Sequence, residues 1–215
     1  MNKLYEYVHC PYCIRVKMAC GYLKFPYIPV VLPYNDEQTP ISLIGKKMLP
    51  IMKFADGSIC NESLEIIEKI DPEDILQTKK LTNTNNLSTL DNTLSLYGKD
   101  IHSLAMPYWI YTKEFTAESR DYFVRKKEQK RGPFRELYLN KDKFEKNILE
   151  HIMSLEKNLV PYYNNNQLTI MDIMIASHFW GTYVVPEFRS PSFFHFYLQR
   201  IKKECNFEYH HDLWV

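Results

Sequence analysis

The feature that most constrains this chain is a pair of cysteines two residues apart, placed between a predicted strand and a predicted helix. Residues 4–8 are apolar and aromatic, which is typical of a buried strand, and Cys10-Pro11-Tyr12-Cys13 follows at once. Pro11 favours the first turn of a helix, where its missing N–H would be unpaired in any case. Apolar residues then recur at near-helical spacing until Phe25-Pro26. A cysteine pair at such a junction is a specific sign of redox chemistry.

The next residues predict a small mixed sheet. The expected elements are a strand at 27–32, a short helix at 39–44, strands at 51–54 and 58–60, and a helix at 63–70. Pro29 lacks a donor for the strand ladder, so the second strand should lie at a sheet edge. Asp56-Gly57 indicates a hairpin between the last two strands. This order predicts an α/β thioredoxin-like domain over residues 1–71.

The pattern changes at Asp71-Pro72, beyond which no strand alternation is found. We expect a linker at 72–81 and a domain at 82–215. Helices are predicted from about Leu87, with a disturbance at Pro107, and near 117–130, 141–158, 170–183 and 191–204. The predicted fold class is therefore a thioredoxin-like domain followed by an all-α C-terminal domain.

Composition narrows the function classes. A net charge of +1 gives no reason to expect nucleic acid or an anionic membrane as a partner. Five irregularly spaced cysteines do not predict a disulfide scaffold. Glu6 interrupts any signal-peptide core, and no run of about 18 apolar residues exists. We therefore expect the cytoplasm, a reducing compartment where a close cysteine pair is more often catalytic or metal-binding than structural.

The placement of the two cysteines predicts different roles for them. Cys10 precedes the first helical turn, so the free N–H groups of Tyr12 and Cys13 and the helix dipole favour its thiolate. A lowered pKa also makes Cys10 a good leaving group in a mixed disulfide. Cys13 lies one turn further in, should be more buried, and would attack such a mixed disulfide to release the bound thiol.

Two alternatives stand beside the redox interpretation: a metal site at the pair, and an inert pair. A zinc site would need a second pair of ligands, but Cys20, Cys60 and Cys205 are isolated from one another. His210-His211 lie near Cys205 and far from Cys10 in sequence. We therefore expect no metal.

Two further segments indicate a binding site for a γ-glutamyl peptide. If the Leu49-Pro50 bond is cis, the backbone of Leu49 is unpaired and an extended peptide can add to it like a strand; otherwise Pro50 merely begins a strand. Glu62-Ser63 open the next helix, whose N–H groups can bind an anion while Glu62 holds an ammonium. The alternative for Ser63 is an ordinary helix cap.

These segments also carry a resemblance to a known family. Cys10-Pro11-Tyr12-Cys13, Leu49-Pro50-Ile51 and Glu62-Ser63 resemble a glutaredoxin active site combined with the glutathione site of glutathione transferases. In the second half, Thr169-Ile170-Met171-Asp172 is similar to the capping box of the transferase helical domain, and Tyr122-Phe123-Val124 with Lys126-Lys127-Glu128 adds to the likeness. The whole layout resembles the large two-domain glutaredoxins of bacteria, which have a glutathione-transferase-like architecture.

The resemblance implies an enzyme that reduces protein disulfides and glutathione mixed disulfides, with glutathione as the reductant. Cys10 would be the nucleophile and Cys13 the resolving thiol. Glutathione would be bound by Pro11, Tyr12, Leu49, Pro50, Glu62 and Ser63. Family members often have valine before the proline, but the contact is through the backbone, so Leu49 should serve. The resemblance further implies a monomer whose partners are disulfide-containing or glutathionylated proteins.

Several interpretations stay open at this point. A glutathione transferase acting on an electrophile and a non-catalytic binding protein on the same scaffold are the alternative functions, and an iron–sulfur cluster between two chains is not demanded by anything in the sequence. His9 could support the Cys10 thiolate or have no such role. Residues 125–131 could be a solvated helix face or could steer anionic glutathione. Five methionines, at positions 48, 52, 106, 153 and 174, are interpreted as core filler, and Tyr108, Trp109 and Tyr111 either line a groove or pack helices.

Overall fold

The structure is a computed structural model, and it describes residues 1–209. The N-terminal half contains four short strands and three helices. The strands are β1 (Lys3–Glu6), β2 (Ile28–Val31), β3 (Ile51–Lys53) and β4 (Ile59–Cys60), and the helices are α1 (Pro11–Tyr22), α2 (Gln38–Ile44) and α3 (Ser63–Ile70). Each predicted element of this half is present, with ends that differ by a few residues at most.

The sheet has the order β2-β1-β3-β4. β1 runs parallel to β2 and antiparallel to β3, and β4 is antiparallel to β3. Pro29 therefore lies in an edge strand, opposite Leu4, as its missing donor requires. Leu4 and Met52 join the apolar core that includes α1 and α3, whereas Ile51 packs on the other face with residues of α2.

The described residues of the C-terminal half form helices joined by loops, with two isolated β-bridges between positions 159 and 165. Its helices are α4 (Thr78–Thr82), α5 (Asn86–Trp109), α6 (Ala117–Arg131), α7 (Phe134–Leu139), α8 (Lys141–Leu155), α9 (Ile170–Phe179) and α10 (Ser192–Glu204). The chain continues as short 3₁₀ turns after α8 and α9, at Glu156–Asn158 and Trp180–Val184. All five predicted helices are present, and α5 continues past Pro107 to end at Trp109. Within residues 1–209, no helix is long and apolar enough to cross a membrane.

The predicted linker is an ordered segment. The Asp71 carboxylate accepts the N–H groups of Ile75 and Leu76 at 2.9 and 2.8 Å. Asp74 in turn accepts from the N–H groups of the first turn of α4, which the sequence did not predict. Leu76 is fully buried, and its carbonyl accepts the N–H of Ile170 at 2.9 Å. The domain limits 1–71 and 82–215 stay predictions.

The helix that carries the cysteines is enclosed by both halves of the chain. α1 packs against α3 within its own half and against α9 and α10 of the other. α9 is buried along its whole length and begins at the predicted capping box, in which Thr169 and Asp172 exchange hydrogen bonds. Asp172 also accepts from the Tyr197 hydroxyl at 2.8 Å. The surroundings of the cysteine pair are thus set by the helical half as well as by the sheet.

Candidate active site

Cys10 occupies the N-cap position of α1, with an extended backbone. Its own N–H donates to the carbonyl of Tyr7 at 3.2 Å. The pKa of Cys10 is lowered, chiefly because the Cys13 thiol donates a hydrogen bond to its sulfur. Burial opposes this shift, while the N–H groups of Cys13 and Tyr12 and the charge of Lys127 reinforce it. The arrangement therefore favours the Cys10 thiolate.

Cys13 has the opposite character. Its side chain is fully buried, and burial raises the pKa of its thiol well above the usual value. The hydrogen bond that it donates to Cys10 and the charge of that neighbour add to the effect. One member of the pair is poised as an anion while the other holds its proton. The N–H groups predicted to stabilise Cys10 lie where the sequence places them.

The segment before β3 closes the site on one side. The Leu49-Pro50 bond is cis, and the Leu49 carbonyl lies 4.0 Å from the Cys10 sulfur. Both residues are buried. The backbone of Leu49 therefore lies beside the nucleophilic sulfur, where a bound thiol peptide would have to approach.

The N-terminus of α3 lies on a second flank of the site. Glu62 is its N-cap, is exposed, and makes no capping hydrogen bond with its side chain. Ser63 is the first helical residue and is buried, so the alternative of an ordinary cap is wrong for it. Its hydroxyl instead accepts from Nη1 of Arg15 at 3.2 Å. No sequence signal identified this arginine, which lies inside α1.

Arg15 connects this flank to the helical half. Its guanidinium is 2% exposed, and its Nη2 lies 2.9 Å from Oδ1 of Asp91 on α5. It also lies 5.0 Å from the centroid of the Tyr12 ring, which packs edge-on against His178 of α9 at 5.9 Å. Two of the predicted binding residues, Tyr12 and Ser63, therefore contact one buried guanidinium.

A groove of about 670 Å³ opens on the other side of Cys10, between the two halves. The first half contributes the cysteine, Tyr12 and Leu49 to its lining. The helical half contributes residues of α5 and α6, among them Trp109 and Lys127. Tyr111 is largely exposed and, like Tyr108, does not line the groove.

The methionine interpretation is correct only in part. Met52 and Met174 are fully buried in the core. Met106 is also buried in the core, although it lines the groove. Met48 is only partly buried and lines the groove, and Met153 is half exposed.

His9 is a docking residue between the two halves. Its Nδ1 lies 2.5 Å from the Tyr209 hydroxyl and its Nε2 lies 2.8 Å from the Thr112 hydroxyl. The hydroxyl proton of Thr112 is donated to the carbonyl of Trp109, so this oxygen accepts from Nε2–H of His9. The His9 ring also stacks on Trp109, with a centroid distance of 5.1 Å. These contacts hold the loop that leads into Cys10.

The basic segment of α6 is not simply a solvated face. Arg131 donates to the carbonyl of Lys99 at 3.0 Å and to the hydroxyl of Ser103 at 3.3 Å. Lys127 is partly buried and faces the groove. The signal that could have revealed this is the apolar Phe123, since residues four apart share one face of a helix and Phe123 is buried. Arg125, Lys126 and Lys130 are exposed, as predicted.

Among residues 1–209, no group of three histidine, cysteine or acidic side chains is close enough to hold a metal ion. His210 and His211 lie outside the described residues. Cys20 and Cys205 are buried, and burial raises the pKa of each thiol, in Cys20 to about 12.

Two family models match the chain. One, described as the N-terminal domain of glutathione S-transferase, matches residues 4–74. The other, described as the C-terminal domain of glutaredoxin 2, matches residues 73–212. Among curated proteins, glutaredoxin 2 of Escherichia coli (strain K12) is 32% identical over 177 residues, which cover 80% of this chain and 81% of that protein.

Solved structures give the same picture. Glutaredoxin 2 from Salmonella typhimurium in complex with glutathione superposes with a TM-score of 0.86 at 28% identity and covers 100% of this chain and 99% of that chain. A glutathione S-transferase of Ceriporiopsis subvermispora in complex with glutathione has a TM-score of 0.78 at 12% identity, and the match covers 95% of this chain and 96% of that chain. The second likeness concerns the fold alone. The predicted fold class, with its glutathione-transferase-like architecture, is confirmed.

Proposed function

The chain belongs to the glutaredoxin 2 family and is a glutathione-dependent thiol–disulfide oxidoreductase, and from this premise we propose that Cys10 is its nucleophile and Cys13 its resolving thiol. The observation that carries the proposal is the asymmetry of the pair. Cys10 faces the groove with a lowered pKa, whereas Cys13 is buried with a raised one. Only the first can meet a substrate as a thiolate.

The reaction with a glutathionylated protein proceeds in two displacements. The Cys10 thiolate attacks the sulfur of the glutathione half, a Cys10–glutathione disulfide forms, and the protein leaves as a thiolate that takes a proton from water. A second glutathione, as its thiolate, then attacks the glutathione sulfur. Oxidised glutathione forms and Cys10 leaves as the thiolate. A low pKa favours this last step, because a stable thiolate leaves readily.

A protein disulfide requires the second cysteine. Cys10 attacks one sulfur of that disulfide, and the mixed disulfide with the protein is then attacked by Cys13. The proton of Cys13 is released as its sulfur bonds to Cys10, and the reduced protein leaves. Two glutathione molecules then reduce the Cys10–Cys13 disulfide. The hydrogen bond from Cys13 to Cys10 supports this role, since it keeps the two sulfurs adjacent.

Glutathione itself is assigned to the two features beside Cys10. Its cysteinyl backbone pairs with Leu49, next to Pro50, which brings its sulfur to Cys10. Its γ-glutamyl carboxylate is bound at the N-terminus of α3, beside Ser63 and the buried Arg15, and the exposed Glu62 takes the ammonium. Pro11 and Tyr12 form the adjoining surface. The contacts of Leu49 and Ser63 described above support this pose.

The remaining expectations concern partners and compartment. We propose that the protein acts as a monomer in the cytoplasm on disulfide-containing and glutathionylated proteins. The groove between the halves supports the proposed protein substrates, because it leaves Cys10 at an open surface where a polypeptide can approach. A net charge of +1 gives nucleic acid and membranes no general attraction.

The test is the reduction of a small glutathione mixed disulfide by wild type, Cys10→Ser and Cys13→Ser. We expect Cys10→Ser to fall to the uncatalysed background and Cys13→Ser to keep most of this activity while losing reduction of a protein disulfide. Cys60→Ser is the matched control, because Cys60 is a partly exposed thiol that does not line the groove, although it adjoins the Glu62-Ser63 segment in sequence. Full activity in Cys10→Ser would overturn the assignment.

A further inference from the structure

A lysine of the helical half reaches the groove that holds the nucleophile. Lys127 belongs to α6, and it lines the same groove as Cys10 although 117 residues separate them. Its Nζ lies 5.5 Å from the centroid of the Tyr34 ring and 5.4 Å from that of Phe123. Tyr34 in turn stacks on Tyr7, whose carbonyl accepts the N–H of Cys10. A short series of contacts thus connects the ammonium to the cysteine.

The ammonium of Lys127 has no carboxylate partner among residues 1–209. Its neighbour in the groove, Lys47, donates to the carbonyl of Tyr34 at 2.7 Å and pairs with Glu37 at 3.7 Å. Lys127 makes neither kind of contact, and the two aromatic rings are its close partners. A partly buried cation without an anion is unfavourable unless something in the site supplies the negative charge.

The acidic and histidine side chains of the groove are already engaged or neutral. Glu37 accepts from the Tyr122 hydroxyl and lies between Lys47 and Lys126. Burial lowers the pKa of His102 to about 3, so this ring is neutral near pH 7. His9 is held by the hydroxyls described above. Within the described part of the groove, the thiolate of Cys10 is the negative charge left for Lys127.

We propose that Lys127 is a positioning residue that supplies the counter-charge of the Cys10 thiolate, so that one essential charge of the active site comes from the helical half. The inference rests on the proposed role of Cys10 as nucleophile. The charge of Lys127 favours the Cys10 thiolate both as the attacking group and as the group that leaves from a glutathione mixed disulfide. The ammonium transfers no proton in either step.

The experiment measures the pKa of Cys10 from the pH dependence of its alkylation by iodoacetamide, in a Cys60→Ser background that removes the other accessible thiol. Lys127→Gln is compared with Lys127→Arg and with Lys126→Gln. Lys126 is the matched control, because it adjoins Lys127 in sequence and also lines the groove but is exposed and lies over the Tyr122 ring. We expect Lys127→Gln to raise the pKa of Cys10 and to slow alkylation about three- to tenfold at a pH below that pKa. Lys127→Arg should restore most of the rate.

A second reagent separates charge from structure. Iodoacetate carries a negative charge, so loss of the ammonium should slow its reaction with Cys10 more than that of neutral iodoacetamide. A purely structural defect would slow both reagents equally and would lower the urea midpoint of unfolding. If Lys127→Gln and Lys126→Gln give the same pKa for Cys10, the inference is overturned. That outcome leaves the proposed function intact as long as Cys10→Ser is inactive.

Discussion

The two halves of this molecule contribute to one site in different ways. The thioredoxin-like half, built on a sheet of four short strands, holds the two active-site thiols and the Leu49-Pro50 segment. The helical half holds none of these groups, yet it supplies Asp91 to Arg15, Thr112 to His9, and Lys127 to the groove. The reacting groups thus lie close together in the sequence of the first half, whereas the contacts that position them come from distant residues of the helical half. Substitutions at the junction should show how far the first half depends on the second.

The largest expected effect is at the contact of α1 with the end of α10. A Cβ at Gly21 would lie 1.7 Å from the carbonyl oxygen of Cys205, and that backbone cannot yield as a side chain would. We expect Gly21→Ala to lower the free energy of unfolding by about 3 kcal/mol or more, measured by urea denaturation. Gly98→Ala is the matched control in α5, where the nearest atom is 3.8 Å away. Gly98→Ala should raise the free energy of unfolding by about 1 kcal/mol, since alanine is a better helix former than glycine.

Equal losses of unfolding free energy in Gly21→Ala and Gly98→Ala would mean that the two halves do not pack as described. A loss confined to Gly21→Ala would show instead that the junction contributes stability in its own right. Because Cys10 is the N-cap of α1, the same variant should also lower activity on the small mixed disulfide. Activity per mole of folded protein distinguishes an effect on the active site from a general loss of folded protein.

A smaller loss is expected at the ion pair between the halves. Asp91→Asn removes the charge that faces the buried guanidinium of Arg15, although the amide oxygen can still accept a hydrogen bond. Because the Asp91 side chain is 36% exposed, we expect the free energy of unfolding to fall by about 2 kcal/mol. This is less than the loss expected on breaking a fully buried ion pair. Asp121→Asn, at an exposed position of α6, should change stability by less than about 0.5 kcal/mol. Similar urea midpoints for the two variants would contradict a stabilising role for the pair.

The smallest effect concerns the hydrogen bond that docks His9. Thr112→Val keeps the shape of the side chain but leaves Nε2–H of His9 without this acceptor. We therefore expect the free energy of unfolding to fall by about 1 kcal/mol. Thr84→Val is a close control, because Thr84 also donates to the carbonyl three residues earlier, at 2.8 Å, and is exposed. Calorimetric melting of both variants checks the difference. If Thr84→Val lowers the melting temperature as much as Thr112→Val does, the loss comes from the hydroxyl-to-carbonyl bond within the turn and not from the bond to His9.

The sequence predicted the first half well because its signals are local. Pro29 required an edge strand, Asp56-Gly57 a hairpin, and Pro11 a helix start beside Cys10; each depends on the backbone chemistry of one or two residues. The Thr169–Asp172 capping box was readable for the same reason. The fold class followed from the order of these elements.

What the sequence did not reveal depends on distant partners. α4 is capped by Asp74 from outside the helix, and α7 has only six residues, too few to show a reliable period. Arg15 looked like one more polar residue of a helix, and its partners Ser63 and Asp91 lie 48 and 76 residues away. Lys127 could not be separated from its basic neighbours without knowing which face of α6 meets the groove.

The burial of α1 against α9 also bears on the order of synthesis. α9 begins at Ile170, 100 residues after α3 ends at Ile70. At roughly 5–20 residues per second, the ribosome needs about 5 to 20 s to make that stretch. During this interval the emerging thioredoxin-like half has an apolar helix face without its cover. The nascent chain is therefore most open to aggregation in the window that α9 closes.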